Sequence, residues 1–346
     1  MQKFLVIQTA FIGDVVLATA LIEKLHACFP EARIDFLVRK GNEGLLAGHP
    51  WLNATLVWDK QQHKIKNLWR VVRRIRRNRY DKVINVQRFA ATGLLTVFSG
   101  AKETIGFDKN PLSRWFTKRI PHIISAPAKP GAIISGTAVH EIRRNQALIG
   151  PFTDDQPAKP RLYPTAADVA EVAKYKVEKY ITISPASVWF TKQYPKEKWD
   201  DFITQVPETF TIYLLGAPSD RDLCQGLAKT KNVVNLAGRL SFLQSAALMR
   251  EAVMNYVNDS APMHFASAVN APVTAVYCST LPEFGFGPLS DDSHIVQIAQ
   301  HLDCRPCGLH GYKACPLGHF NCAHKIENGQ LVQTLIISRG GHTMHR

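Results

Sequence analysis

Lys3-Phe4-Leu5-Val6-Ile7-Gln8-Thr9-Ala10-Phe11-Ile12-Gly13-Asp14-Val15 is the stretch that decides the fold. Lys3 to Gln8 is short and rich in β-branched residues, which predicts a strand. Gly13-Asp14 follows a turn. From Val15 to Phe29 the apolar residues Val16, Leu17, Ala20, Leu21, Leu25 and Cys28 keep helical spacing. Pro30 stops that helix, and Ile34 to Val38 resumes as a strand. Further strands are predicted at Ala54–Trp58, Lys82–Val86 and Thr104–Phe107, with helical stretches between them. Strands alternating with helices imply a parallel sheet covered by helices on its faces.

Residues 121–165 break the pattern. Prolines at 121, 127, 130, 151, 157, 160 and 164 punctuate them, around one possible helix from His140 to Ile149. This predicts the exit from a first domain and a linker. The alternation then restarts. Strands are expected at Tyr180–Ser184, Thr211–Gly216, Asn232–Leu236, Met254–Asn258 and Val273–Tyr277. Helices are expected at Pro195–Gln205, Ser219–Lys229, Ser241–Arg250 and Ala261–Val269. The fold class expected is α/β, with two Rossmann-like domains, 1–160 and 161–346, facing a cleft. In such sheets ligands lie beyond the carboxyl ends of the strands.

Composition narrows the function. The 346 residues are 46% hydrophobic and 20% charged, which excludes a largely disordered chain. The 42 Lys and Arg against 28 Asp and Glu leave a net charge of +14, favouring an anionic partner. No segment approaches the ~18 consecutive apolar residues of a spanning helix. The first apolar run is too short for a signal-peptide core, so a cytoplasmic location is expected. Seven cysteines in that compartment are expected to be mostly reduced thiols.

Three loops hold the candidate chemistry. Asp14 opens the first helix, but G-x-G-x-x-G and G-x-x-x-x-G-K are both absent around it, which removes the main support for a dinucleotide site. Its carboxylate either complements the helix dipole or projects as a base from the strand end. Ser184-Pro185-Ala186-Ser187 through Lys192-Gln193-Tyr194-Pro195 leaves the first strand of the second domain. Lys192 there is either a solvated loop lysine or a point charge for phosphate. Asn258-Asp259-Ser260-Ala261-Pro262-Met263-His264 joins a strand to a helix. Asp259 or Ser260 is either the N-cap of that helix, or part of an anion site built on its amides.

Together these loops resemble glycosyltransferase family 9, the bacterial lipopolysaccharide heptosyltransferases. The resemblance rests on Ile12-Gly13-Asp14-Val15 with Phe29-Pro30, on Pro185-Ala186-Ser187 with Lys192-Gln193-Tyr194-Pro195, and on Asp259-Ser260-Ala261-Pro262-Met263-His264-Phe265-Ala266-Ser267-Ala268. Each motif is weak alone; the three in order along the chain are specific. Ala261 stands where the family usually has glycine, narrowing the approach to the helix start, and Tyr194 stands where tryptophan is common.

The resemblance implies a GT-B-type fold and inverting transfer of heptose from ADP-heptose to the inner core of lipopolysaccharide. It implies Asp14 as general base and Lys192 as the phosphate-neutralising catalytic residue. Donor binding falls to Ser187, Gly216, Asp259, Ser260, Ala261 and His264 in the C-terminal domain. Acceptor binding falls to Gly13, Arg73, Arg74, Arg76 and Arg77 in the N-terminal domain. No cofactor is required beyond the donor substrate. The expected partners are a nucleotide sugar, a phosphorylated lipid acceptor of Kdo-lipid A type and the anionic inner face of the inner membrane, with no nucleic acid and a monomeric chain.

Charge and cysteines are each concentrated in one segment. Between Lys60 and Lys82 lie Lys60, Lys64, Lys66, Arg70, Arg73, Arg74, Arg76, Arg77, Arg79 and Lys82, against the single Asp81. Ile65, Leu68, Trp69, Val72 and Ile75 fall on one helical face within that run. This is either a solvated basic face or a contact for a phosphorylated lipid or anionic membrane. Cys304, Cys307, Cys315 and Cys322 lie within nineteen residues. They are either a structural metal set or reduced thiols or a disulfide in an irregular loop, since only one C-x-x-C pair is present. His26 and His140 are expected to be structural or surface residues. Two alternatives to the leading reading are a transferase of the same fold with another nucleotide sugar, and a non-catalytic basic protein that binds lipid or nucleic acid.

Overall fold

The computed structural model describes residues 1–61, 63–124 and 139–341, which form two compact units. Unit 1 holds residues 1–124 and 139–163; unit 2 holds the described residues from 164 onward. In unit 1, β1 (Lys3–Ile7), β2 (Arg33–Arg39), β3 (Leu52–Trp58), β4 (Lys82–Asn85), β5 (Glu103–Phe107) and β6 (Lys118–Ile120) form one sheet. Its helices are α1 (Ile12–Cys28), α2 (Lys64–Asn78), α3 (Ala90–Val97) and α4 (Glu141–Gln146). The strand order is β3-β2-β1-β4-β5-β6, and every pairing is parallel.

Unit 2 repeats this plan with β7 (Tyr180–Ser184), β8 (Thr211–Leu214), β9 (Val233–Asn235), β10 (Asn255–Asn258), β11 (Val273–Tyr277) and β12 (Ser293–Gln297). Its helices are α5 (Ala166–Val172), α6 (Lys196–Gln205), α7 (Arg221–Leu227), α8 (Phe242–Arg250), α9 (Ala261–Ala268), α10 (Asn321–His324) and α11 (Gly329–Gly341). The order β12-β11-β10-β7-β8-β9 is the same doubly wound pattern. In each unit the winding reverses next to the first strand, between β1 and β4 or between β7 and β10. In open sheets of this kind ligands are taken at that reversal point, outside the carboxyl ends of the strands.

Burial explains the strand sequences. Phe4, Leu5, Val6 and Ile7 are all inaccessible to solvent, as a parallel strand with helices on both faces requires. Leu5, Ile7, Leu37, Val72, Ile75, Val83 and Leu95 share one core cluster in unit 1. Ile181, Ile183, Trp199, Phe202, Leu214, Tyr256 and Val276 share one in unit 2. Tyr194, the departure from the family's tryptophan, is a core residue set edge-on against Trp199 at 5.1 Å, with its hydroxyl on Asn328.

Three expectations need correction. Residues 139–163 are not a free-running linker: they belong to unit 1, where α4 packs on α1. Prolines 127 and 130 lie outside the described residues. The apolar face expected on α2 is narrower, because Val71, Val72 and Ile75 are buried while Ile65 and Trp69 are exposed. Edge strands β6 and β12 escaped sequence reading, since KRI and SHIVQ lack the continuous apolar run of a central strand. Among the described residues no helix is long and apolar enough to cross a membrane.

Candidate functional site

In unit 1, residues 8–11 leave β1 at the reversal point and are held from three neighbouring strands. The Thr9 hydroxyl donates to Gln87 Oε1 at 2.5 Å and accepts from Lys60 Nζ at 2.8 Å. Lys60 Nζ also donates to the Thr9 carbonyl at 2.9 Å, and Asn42 Nδ2 to the Ala10 carbonyl at 3.1 Å. Asp14 is the third residue of α1 and half-buried. Its Oδ2 accepts the Phe11 amide proton at 3.2 Å, which fixes the carboxylate over the helix start. Gly13 precedes it, also half-buried. The dipole-complementing position and a position at the strand's carboxyl end are therefore one place.

Two cations stand beside this loop. Arg39 lies 5.3 Å from the centre of the Phe11 ring, and Lys60 Nζ 4.7 Å from that of Trp58. Burial, and next the Arg39 charge, pull the Lys60 ammonium down to about 8. A lysine losing its proton so early is one whose positive charge has been set next to another in a partly dry place. Lys60 was visible in the basic run, but nothing in its neighbours distinguished it from the solvated lysines.

The arginines of α2 occupy a different place. Arg73, Arg74, Arg76 and Arg77 are all exposed. They occupy the C-terminal half of the helix, whose last residue, Asn78, accepts from Lys3 Nζ at the start of β1. Asp14 stands beyond the opposite end of β1, and α2 is about 22 Å long at 1.5 Å per residue. The sequence-predicted acceptor residues thus separate into Gly13 next to Asp14 and four arginines at the far end of the sheet.

Unit 2 brings its two motif loops together. Asn258 Oδ1 accepts the Tyr194 amide at 2.9 Å, and Asn258 Nδ2 donates to the Pro185 carbonyl at 2.8 Å. Lys192 Nζ meets Asp259 Oδ2 at 2.7 Å, with side chains only 15% and 8% exposed. The Thr280 hydroxyl donates to the same oxygen at 2.6 Å. Lys192 is therefore no solvated loop lysine. Ser260 is the N-cap of α9, yet its hydroxyl turns back to the Asn258 carbonyl at 3.3 Å and caps no first-turn amide.

Around this pair the other predicted donor residues are dispersed. Ala261 begins α9 and is half-buried, and His264 is buried within that helix. Ser187 is half-buried and its carbonyl accepts from Gln193 Nε2 at 2.6 Å. Gly216 follows β8, where a Cβ would stand 2.9 Å from that of Asp220, so packing alone already favours glycine.

A strap that sequence reading treated as an irregular loop completes the unit 2 site. Tyr312 and Thr191 exchange two hydrogen bonds: the Thr191 amide to the Tyr312 carbonyl at 3.1 Å, and the Tyr312 amide to Thr191 Oγ1 at 2.8 Å. Gly311, at φ +75°, brings the strap so close that a Cβ would fall 2.9 Å from Thr191 Oγ1. Arg305 donates to the Cys278 carbonyl at 2.7 Å, the Thr280 carbonyl at 2.9 Å and Gln297 Oε1 at 2.7 Å. The cysteines of the strap are free thiols, Cys322 buried and Cys304, Cys307 and Cys315 half-buried. Among the described residues no three His, Cys, Asp or Glu side chains converge on a metal position.

Known proteins share this architecture and sequence. The family model for glycosyltransferase family 9 (heptosyltransferase) matches residues 68–313. Lipopolysaccharide heptosyltransferase 3 of Escherichia coli is 26% identical over 292 residues, covering 78% of this chain and 82% of the relative. The solved E. coli ADP-heptose LPS heptosyltransferase II superposes with a TM-score of 0.78 at 19% identity, over 99% of this chain and 100% of that one. A family 9 glycosyltransferase from Veillonella parvula gives 0.81 at 17% identity, over 97% of each chain. The two doubly wound units are thus those of a GT-B-type fold, and a non-catalytic binding protein is set aside. On a family match that covers the later half of unit 1 and most of unit 2 and contains the Lys192 and Asp259 loops, the chain belongs to glycosyltransferase family 9, the heptosyltransferases.

Proposed function

We propose that this glycosyltransferase moves heptose from ADP-heptose to an inner-core sugar of lipopolysaccharide, with inversion at the anomeric carbon. Asp14 carries the proposal: a carboxylate fixed at the reversal point of unit 1, at the end of a loop that Lys60 and Arg39 touch, in a chain of this family. Unit 1 takes the acceptor and unit 2 the donor.

In this mechanism the acceptor hydroxyl attacks the anomeric carbon while Asp14 accepts its proton. The new C–O bond forms as the bond from that carbon to the β-phosphate oxygen breaks, and ADP leaves with the electron pair. Charge builds on the departing diphosphate, where Lys192 and the first-turn amides of α9 stabilise it more than they stabilise the ground state. Asp259 holds Lys192 in place beforehand. Ser187, Gly216, Ala261 and His264 line the donor side, and no resident cofactor enters. The four α2 arginines meet the phosphorylated lipid or the anionic inner face of the inner membrane, where a monomeric, cytoplasmic, peripheral protein would work.

The test is product analysis. Purified protein is given ADP-heptose and a Kdo-lipid A acceptor, and the anomeric configuration of the product is read by NMR. Inverted linkage with stoichiometric ADP release is expected. Retained configuration, or turnover only with another sugar nucleotide, would overturn the assignment.

A further inference from the structure

Two helix starts in unit 1 carry a side chain that does nothing for a helix start. Phe11 is the N-cap of α1 and Phe89 the N-cap of α3, both in extended backbone conformation and neither capping an amide. Ser, Thr, Asp and Asn are favoured at that position because their oxygen accepts from a first-turn N–H. Burial does not compensate: Phe11 is 58% and Phe89 64% exposed.

Their placement is matched. Ile7 pairs with Asn85 in the β1–β4 register, and each phenylalanine lies four residues beyond its member of that pair. The two therefore leave adjacent strands, about 5 Å apart, on either side of the reversal point. Asp14 is tied to the Phe11 amide at 3.2 Å, and the Arg39 guanidinium stands 5.3 Å from the Phe11 ring centre. Two largely exposed rings that begin the helices at one reversal point, with a fixed carboxylate and two cations on the Phe11 side, mark a binding feature.

We propose that Phe11 and Phe89 form an aromatic platform for the apolar face of the acceptor's sugar ring, while Arg39 and Lys60 meet anionic groups of the same acceptor. The proposal rests on Asp14 as the base. A pyranose ring presents C–H hydrogens on its face and hydroxyls at its rim. The weakly positive C–H face suits the negative face of a phenyl ring, and the rim leaves a hydroxyl free to reach the carboxylate. Acyl chains fit poorly, because they would strip water from Asp14 and the cations without pairing them.

The experiment measures Phe11→Ala, Phe89→Ala, Phe11→Ser and Phe89→Ser with a lipidated acceptor and with its deacylated saccharide. Each alanine variant should raise acceptor KM roughly tenfold, equally for both acceptors, with ADP affinity by calorimetry unchanged and Phe11→Tyr close to wild type. The serine variants should raise acceptor KM as much while holding or raising Tm, because serine caps the helix. Unchanged acceptor KM in both alanine variants overturns the platform, as does a rise confined to the lipidated acceptor. A KM rise accompanied by loss of Tm in the serine variants also overturns it. Asp14→Asn, assayed alongside, separates the two ideas: its inactivity with normal KM in the phenylalanine variants defeats the platform alone, and its full activity defeats the base assignment.

Discussion

The two units share one topology but finish their reversal points in opposite ways. In unit 2 the loops at that point are tied to one another: Lys192 pairs with Asp259, Asn258 ties both loops, Tyr312 of the strap braces Thr191, and Arg305 of the strap holds the Cys278 and Thr280 carbonyls. In unit 1 the loop backbone is held firmly, yet its outward side offers exposed phenyl rings and two neighbouring cations. A site for a small, invariant nucleotide gains from donors fixed in advance, because no reorganisation is needed as charge develops. A site for a large, variable acceptor gains from exposed rings and charges that tolerate different approaches. On the proposed division, donor to unit 2 and acceptor to unit 1, the loops and not the sheets carry the difference.

The largest effect that tests this contrast is at Asp14. Asp14→Asn should lower turnover by roughly 10²–10⁴-fold with ADP titration unaltered, because the proposed mechanism gives the donor to unit 2. Near-wild-type turnover would remove Asp14 from the chemistry.

Next come the arginines at the far end of unit 1. Replacing Arg73, Arg74, Arg76 and Arg77 with Gln should weaken sedimentation with anionic vesicles by about 10²-fold at low salt, at roughly 1 kcal/mol or less per exposed residue. The loss should shrink as salt rises. Unchanged vesicle binding would leave these arginines a solvated face.

A smaller effect sharpens the unit 2 half. Lys192→Ala should weaken ADP by about tenfold, the value of one charge-assisted contact in a partly dry site, and slow transfer as well. If calorimetry finds ADP affinity intact, Lys192 serves only Asp259.

The smallest effect concerns Lys60. Its proton is lost near pH 8 because burial and Arg39 disfavour the charged form. The ammonium is therefore complete below that pH and absent well above it, so acceptor KM should rise several-fold between pH 7 and 9. Lys60→Arg, charged throughout, should flatten that rise. A profile as steep in the arginine variant as in wild type would assign the titration elsewhere.

Much of this was legible in the chain. The alternation of β-branched runs with helical spacing placed the central strands within a residue or two, because parallel strands buried on both faces leave an unmistakable apolar run. The motif loops around Asp14, Lys192 and Asp259 were found because they directly follow such strands. Edge strands β6 and β12 were hidden by their polar, half-exposed sequences. Residues 139–163 looked like linker because proline density records where helices stop, not where the chain packs.

By itself the sequence determined the class of fold, the two-unit organisation and which loops hold charge, since these follow from periodicity and composition that each segment carries locally. Only the tertiary structure decided that Lys192 is paired, that Lys60 reaches Thr9, that the α2 arginines sit away from Asp14, and that Phe11 and Phe89 begin the helices that follow two paired strands. Each of those facts joins residues distant in the chain. Strand register and winding order set such distances, and no stretch of sequence encodes them alone.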